Sequence, residues 1–344
     1  MTTTPINAPA ASPASPKKLV FPKASFSILY GDRIYAAITF LASLSIFGII
    51  VWLAVQLSQA SGASIHKFGW SYITQSNWDE TKDIYGILPY IFGTLYSSFL
   101  ALLIAVPISI GSAVFLSELA PKWLRTPMTF LIELLAAIPS VVYGLWGIFV
   151  MLPWLKTHVM NPISHAHPHN KFALWIFDVF FSGNPYGPSM LAAGLILSIM
   201  VIPFITAVTR DILKAIPRSQ REGSYALGAT QWETISQVVF PYAKSGIVGA
   251  VMLGLGRALG ETMAVTMLIG NQSPGTPTGI SFSLFQPGYT MASALANKFT
   301  EAAQGINTSA LAEIGLVLFF VTIVVNMAAR LLVFYTAKDV AGGK

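Results

Sequence analysis

Arg257 and Glu261 stand four residues apart in the run GLGRALGETMA, and no other charged residue lies between Ser245 and Gly270. A guanidinium presents a planar fork of N–H donors and no acceptor, which suits the oxygens of an anion. On a helix the carboxylate at i+4 lies roughly 6 Å further along the same face, so Glu261 can neutralise Arg257. An arginine at the centre of a membrane helix costs about 2.5–3.5 kcal/mol on insertion scales, so such groups face a bundle interior or a wet cavity. Two readings follow. In one, the ions form a buried pair that fixes helix packing. In the other, the guanidinium transiently releases Glu261 and offers its fork to a passing anion, held weakly because conduction needs sites that let go. Gly254, Gly256, Ala258 and Gly260 give the same segment a small-residue surface for close approach.

The elements around this pair belong to a bilayer. The chain has 344 residues, 54% of them hydrophobic and only 10% charged, whereas a soluble domain carries about 25% charged residues. There is no cysteine, hence no disulfide and no thiolate metal site. The net charge of +6 comes from basic residues scattered between apolar runs, which points to membrane topology and not to nucleic acid. Residues 1–24 are rich in Pro, Ala, Ser and Thr and lack a signal-peptide core, so they read as a disordered cytoplasmic tail ahead of a transmembrane domain over 25–344. An all-α, multi-pass fold is expected.

A helix needs about 20 apolar residues to cross the hydrocarbon core. Six segments qualify, at about 34–57, 87–116, 126–155, 188–209, 245–270 and 311–335. The second and third contain Pro107 and Pro139 and run longer than a span needs, which predicts tilt or kinks. With the N-terminus inside, fourteen Lys and Arg residues flank the inner ends and five lie in outer loops, Arg257 being the twentieth. This asymmetry places both termini in the cytoplasm.

The outer loops then cover about 58–86, 156–187 and 271–310, with Trp70, Trp78 and Trp175 in them and Trp154 just before the second. His158, His165, His167 and His169 lie in the second. Imidazole ligates zinc, but alternating histidines in a Pro-interrupted loop are a weak pattern for a metal, so the segment is read as a solvated loop and no metal site is assigned.

One cytoplasmic connection, 210–244, is too long and too patterned for a plain loop. Ile212, Ile216, Tyr225 and Leu227 precede Gly228, and Trp232, Ile235, Val238 and Val239 follow it at helical spacing. Two short amphipathic helices meeting at Gly228 are predicted, with Pro241 stopping the pattern before span five. Neighbouring helix ends, lipid headgroups or a cytoplasmic protein would have to cover their apolar face. The spacing Glu222, Gly223, Ser224, then Gly228, Val238, Phe240 and Pro241 resembles the E-A-A-x3-G-x9-I-x-L-P loop of ABC importer permeases. Small residues replace the two alanines, and Val238 and Phe240 replace isoleucine and leucine. The resemblance implies that this loop is the coupling element seated in a cleft of an ATPase subunit.

Longer stretches resemble one family, the PstC-type permeases of phosphate ABC importers. They are KFGWSYITQSNWD from Lys67, YGILPYIFGTLYSSFLALLIAVPISIGSAVFLSELAP from Tyr85, IELLAAIPSVVYGLWG from Ile132 and GLGRALGETMAVTMLIGN from Gly254. The resemblance implies a type I ABC importer permease fold in the bacterial inner membrane. It also implies a heterodimer with a related second permease, two cytoplasmic ABC ATPase subunits and an extracytoplasmic phosphate-binding protein. GRALGE matches the family stretch whose arginine and glutamate are implicated in transport. The chain has no G-x-x-x-x-G-K-[ST] phosphate loop. ATP and Mg are therefore expected on the ATPase partner, with no cofactor on this chain and no catalytic residue in it.

Weaker candidates remain. Glu133 in span three is read either as pairing with a basic residue of the partner permease or as an interfacial carboxylate. Pro139, Ser140 and Tyr143 either line the path or mark a structural kink. Glu313 receives no role. Two rival functions stay open: import of another oxyanion such as sulfate, molybdate or phosphonate, and ion-coupled secondary transport, which would need no docking loop.

Overall fold

The computed structural model describes residues 26–165, 171–272, 280–302 and 304–341. The expected tail over 1–24, and with it any test of its disorder, lies outside them, as do His167 and His169. The chain divides into two units, residues 1–53 and 54–344. The first is the leading part of helix α1 (Phe26–Ala60), apolar all round and exposed from residue 31 to the end of the unit, the pattern of a helix whose solvent is lipid.

The second unit begins with the last residues of α1, followed by α2 (Gly62–Phe68) and a hairpin of two-residue strands, β1 (Trp78–Asp79) and β2 (Ile84–Tyr85), paired antiparallel. The long α3 (Leu88–Val114) follows and ends in a π turn over Phe115–Leu119. Next come α4 (Lys122–Ala137) and α5 (Ser140–Trp146), the latter prolonged by alternating π and α turns to Ser164. After α6 (Lys171–Phe180), α7 (Met190–Ala215) is the most buried span, its N-cap Ser189 accepting from Ala192 N. Helices α8 (Arg218–Ala226) and α9 (Gln231–Thr234) form the connection expected on the cytoplasmic side, and a π turn over Ile235–Val239 leads directly into α10 (Phe240–Leu259). Then come α11 (Met263–Leu268), α12 (Met291–Lys298) and α13 (Ile306–Ala341).

Six helical segments are long and apolar enough to cross a membrane, but their bounds correct the sequence reading in two places. The third expected span, 126–155, is not one helix. Ile138 is extended (φ −64°, ψ 130°) ahead of Pro139, and the membrane-length segment is 140–164. A residue before proline is driven out of the helical region by the ring, which also lacks an N–H to continue the ladder. Part of the expected second outer loop is consequently helical. The fifth span, expected over 245–270, starts at Gln231 and stops at Leu259. Pro241 does not end the pattern before it. The wider π turn just ahead absorbs the missing N–H and the ring, so the helix runs through.

Around α7 the core is built from small residues on α3 and α10, with Ala105, Val201, Ile205, Ala250 and Ala258 buried together. A Cβ at Gly254 would lie 2.6 Å from Ile205 Cδ1, so only glycine lets these two helices approach this closely. Beneath the β1–β2 hairpin, Tyr72, Tyr85, Tyr90 and Tyr289 form a buried aromatic cluster. Glu80 ties this region together by accepting from Trp78 Nε1 (2.9 Å) and Lys298 Nζ (2.8 Å). The Lys298 ammonium and the indole N–H hold its carboxyl below the usual range. Glu313 is buried in the first turns of α13.

Candidate functional site

Arg257 sits near the end of α10, and the two sides of that helix differ. The Gly254 side is packed on α7, as above. A Cβ at Gly249 would meet nothing within 4 Å, one at Gly256 would meet only Asn326 Oδ1 at 4.0 Å, and Leu253 is exposed. Arg257 is itself exposed and makes no hydrogen bond or ion pair with a described residue. Among the described residues its donor fork is thus unpaired, in a part of α10 that those residues leave uncovered.

The expected Arg257–Glu261 pair is not formed. Gly260 caps α10 (φ −91°, ψ −1°), and Glu261 lies past the last helical residue. There the rotation per residue that would align i with i+4 no longer applies. Glu261 instead serves the next segment, its Oε1 accepting from Ala264 N at 3.4 Å. Opposite Gly256, Asn326 Nδ2 donates to Thr322 O at 2.8 Å. A carbonyl only accepts, so Oδ1 is the atom left free to face α10.

The two interrupted spans meet. A Cβ on Gly144 of α5 would fall 2.5 Å from Met267 Sδ and 3.3 Å from Ala264 Cα of α11. Broken helices at membrane depth are tolerated where they are buried in protein or line a cavity. Gly144→Val is expected to force these half-helices apart and destabilise the subunit by about 1–3 kcal/mol. A lowered midpoint of thermal unfolding in detergent would register the change.

The hairpin of α8 and α9 has the two-helix form read from the sequence. Gly228 adopts φ +84° between α8 and α9, a left-handed conformation that favours glycine. A capping box starts α9, with the Thr230 side chain accepting from Glu233 N and Glu233 accepting from Thr230 N. The apolar residues divide into two sets. Ile216, Ile235 and Val239 are buried against Ala113, Val114 and Ala243, at the C-terminal end of α3 and the N-terminal end of α10. Tyr225, Leu227 (91% exposed) and Trp232 (70% exposed) remain uncovered at the turn. Glu222, Gly223 and Pro241 are exposed, Val238 and Phe240 are half-buried, and Ser224 Oγ lies 3.0 Å from Thr234 Oγ1.

Sequence reasoning missed the clamp that holds this hairpin. Arg221 donates from Nε to Glu118 Oε2 (3.2 Å) and from Nη2 to Glu118 Oε1 (2.8 Å), a bidentate pair. It also donates to Ile216 O and Leu213 O, at 2.7 and 2.8 Å. The residues are 103 positions apart, so spacing gave no signal. Glu133 is also corrected: its partner is Arg210 of this same chain, 3.2 Å away. Arg210, 5% exposed, pairs with Asp211 as well. His158 stacks on Trp154 at 5.3 Å between centroids, and no group of three metal-ligating side chains gathers among the described residues.

Comparison with known proteins gives a family, two relatives and a fold. A family model described as "Binding-protein-dependent transport system inner membrane component" matches residues 105–342. A phosphate transport system permease protein PstC from Haemophilus influenzae is 44% identical over 310 residues, 90% of this chain and 95% of that protein. One from Mesorhizobium japonicum is 42% identical over 299 residues, covering 87% of this chain and 89% of that protein. Among solved structures, a chain of a bacterial alginate ABC transporter shares the fold with TM-score 0.53 at 17% identity. The likeness covers 89% of this chain and 99% of that one.

Proposed function

We propose, starting from the membership of this chain in the family of binding-protein-dependent transport system inner membrane components, that it is the permease subunit for phosphate in an ATP-driven importer. Its near full-length likeness to proteins named phosphate transport permeases carries the substrate. The chain would form half of the translocation path, together with a related second permease. Two cytoplasmic ATPase subunits would bind ATP and Mg, and an extracytoplasmic binding protein would deliver phosphate.

Arg257 would contact the anion as it crosses, its uncovered position on α10 supporting this role. The hairpin around Gly228 would seat in the ATPase, using the exposed Tyr225, Leu227 and Trp232 as its contact surface. The buried set of apolar residues and the Arg221–Glu118 clamp would transmit ATPase movement to α3 and α10.

Reconstitution of the complete complex in liposomes tests this reading. ATP with phosphate-loaded binding protein is expected to drive phosphate uptake, and a pH gradient without ATPase is not. Uptake driven by the gradient alone would make the chain a secondary transporter. Preferential uptake of sulfate or molybdate with a co-purifying binding protein would change the substrate.

Orientation has its own test. A cysteine at Ser164 is expected to react with an impermeant thiol reagent from outside, and one at Gln220 only after the membrane is opened. With no native cysteine, the labelling has no background. Reversed labelling would move the hairpin to the wrong side for an ATPase.

A further inference from the structure

The break in the third span leaves a particular atom in need of a donor. In a continuous helix the N–H of residue 139 would bond the carbonyl of residue 135. Pro139 has no N–H, so Leu135 O loses its helical donor. The hydroxyl of Tyr143, on the far side of the break, fills that role and donates to Leu135 O at 2.9 Å. Ile138 N also reaches Leu135 O at 3.3 Å, a longer bond of the tight-turn type. Tyr143 is buried, so its ring is fixed in the core while its hydroxyl spans the joint.

The two halves joined in this way are packed differently. Helix α5 is seated on α11 through Gly144, and Tyr143, Ala264 and Leu268 share one buried cluster. Helix α4 has no buried side chain. A cavity of about 530 Å³ lies alongside it, lined by Gly111, Met128, Ile132, Leu135, Ile199 and Thr206. Its polar tie to the bundle is the Glu133–Arg210 pair on α7. A helix that lines an open groove and is joined to the next through an extended residue has room to tilt about that hinge.

We propose that Tyr143 is a positioning residue for transport, a reversible staple across the third-span hinge whose hydroxyl lets go of Leu135 O as α4 tilts in each cycle. A side-chain donor suits that task because it swings away by rotation about its own bonds, whereas a backbone N–H moves only with the helix. The inference rests on the importer reading given above.

Tyr143→Phe keeps the ring and its burial and removes only the donor. In complete complexes reconstituted with inorganic phosphate and loaded binding protein, maximal uptake per complex is expected to fall about tenfold, the size of effect of one lost hydrogen bond of about 1.4 kcal/mol. The half-saturating concentration of loaded binding protein and the yield of assembled complex should not change. A static structural role moves the yield and leaves uptake per complex alone. A second variant, Tyr143→Phe with Pro139→Ala, offers Leu135 O a backbone donor in place of the hydroxyl. It is expected to stay slow, because that bond does not release.

Wild-type uptake per complex in Tyr143→Phe, or full recovery in the double variant, overturns the staple and leaves the importer reading intact. Absence of ATP-driven phosphate uptake in the unmodified complex overturns both.

Discussion

Arg257→Gln is expected to leave the complex assembled and to lower phosphate uptake per complex by about tenfold to a hundredfold or more. That range corresponds to losing a charge-assisted hydrogen bond worth about 1.5–3 kcal/mol. The substitution removes the charge and the fork but keeps a polar side chain of similar reach. Because Arg257 is exposed and unpaired among the described residues, none of them is stranded by the change, so assembly should tolerate it. Arg257→Lys retains a point charge without the planar fork and is expected to keep part of the uptake.

Glu261→Gln serves as the comparison. The amide still offers an acceptor to Ala264 N, so the start of α11 should hold and uptake should fall less than in Arg257→Gln. Uptake per assembled complex, measured across the three variants, decides the role of the arginine. Unimpaired uptake in Arg257→Gln would take this residue out of the path and leave helix packing as its function.

Gly228→Val is expected to abolish transport by a different route, through loss of the ATPase. At φ +84° a β-branched residue is strained by about 1–3 kcal/mol, which the short hairpin can relieve only by changing its turn. A Cβ there would meet nothing within 4 Å, so the effect is confined to the backbone. Tyr225, Leu227 and Trp232 would then be presented in the wrong arrangement. Co-purification of the ATPase and ATP-driven uptake should fall together while the subunit still inserts. Gly228→Asn, better able to adopt the left-handed region, should retain more of both. Transport that persists in Gly228→Val with full ATPase retention would remove the hairpin turn from coupling.

These two sites were legible in the sequence to different degrees. The hairpin was readable nearly whole, because a glycine between two short apolar-periodic segments is a local pattern set by backbone sterics. Its division into a buried and an exposed set was not readable. Ile235 and Trp232 lie three residues apart, and only the adjoining ends of α3 and α10 decide that one is covered and the other is not. The ion pair in span five was misread for a similar reason. Gly260 is compatible with a continuing helix or with a cap, and the sequence pattern favours neither.

What the sequence by itself determined is the solvent and the class of fold. Six apolar runs with almost no charge can satisfy their backbone groups in lipid only as helices, and this holds whatever the runs pack against. The basic flanks and the Gly228 spacing follow from equally local physics. The tertiary structure alone decided where helices end, which charges pair and what faces open space. Glu133 meets Arg210 across 77 positions and Arg221 meets Glu118 across 103. Tyr143 donates across the hinge at Pro139 because α5 folds onto α11. Such contacts depend on the angle and depth at which helices pack, and those are set by the fit of many small side chains at once, which no short stretch of chain encodes.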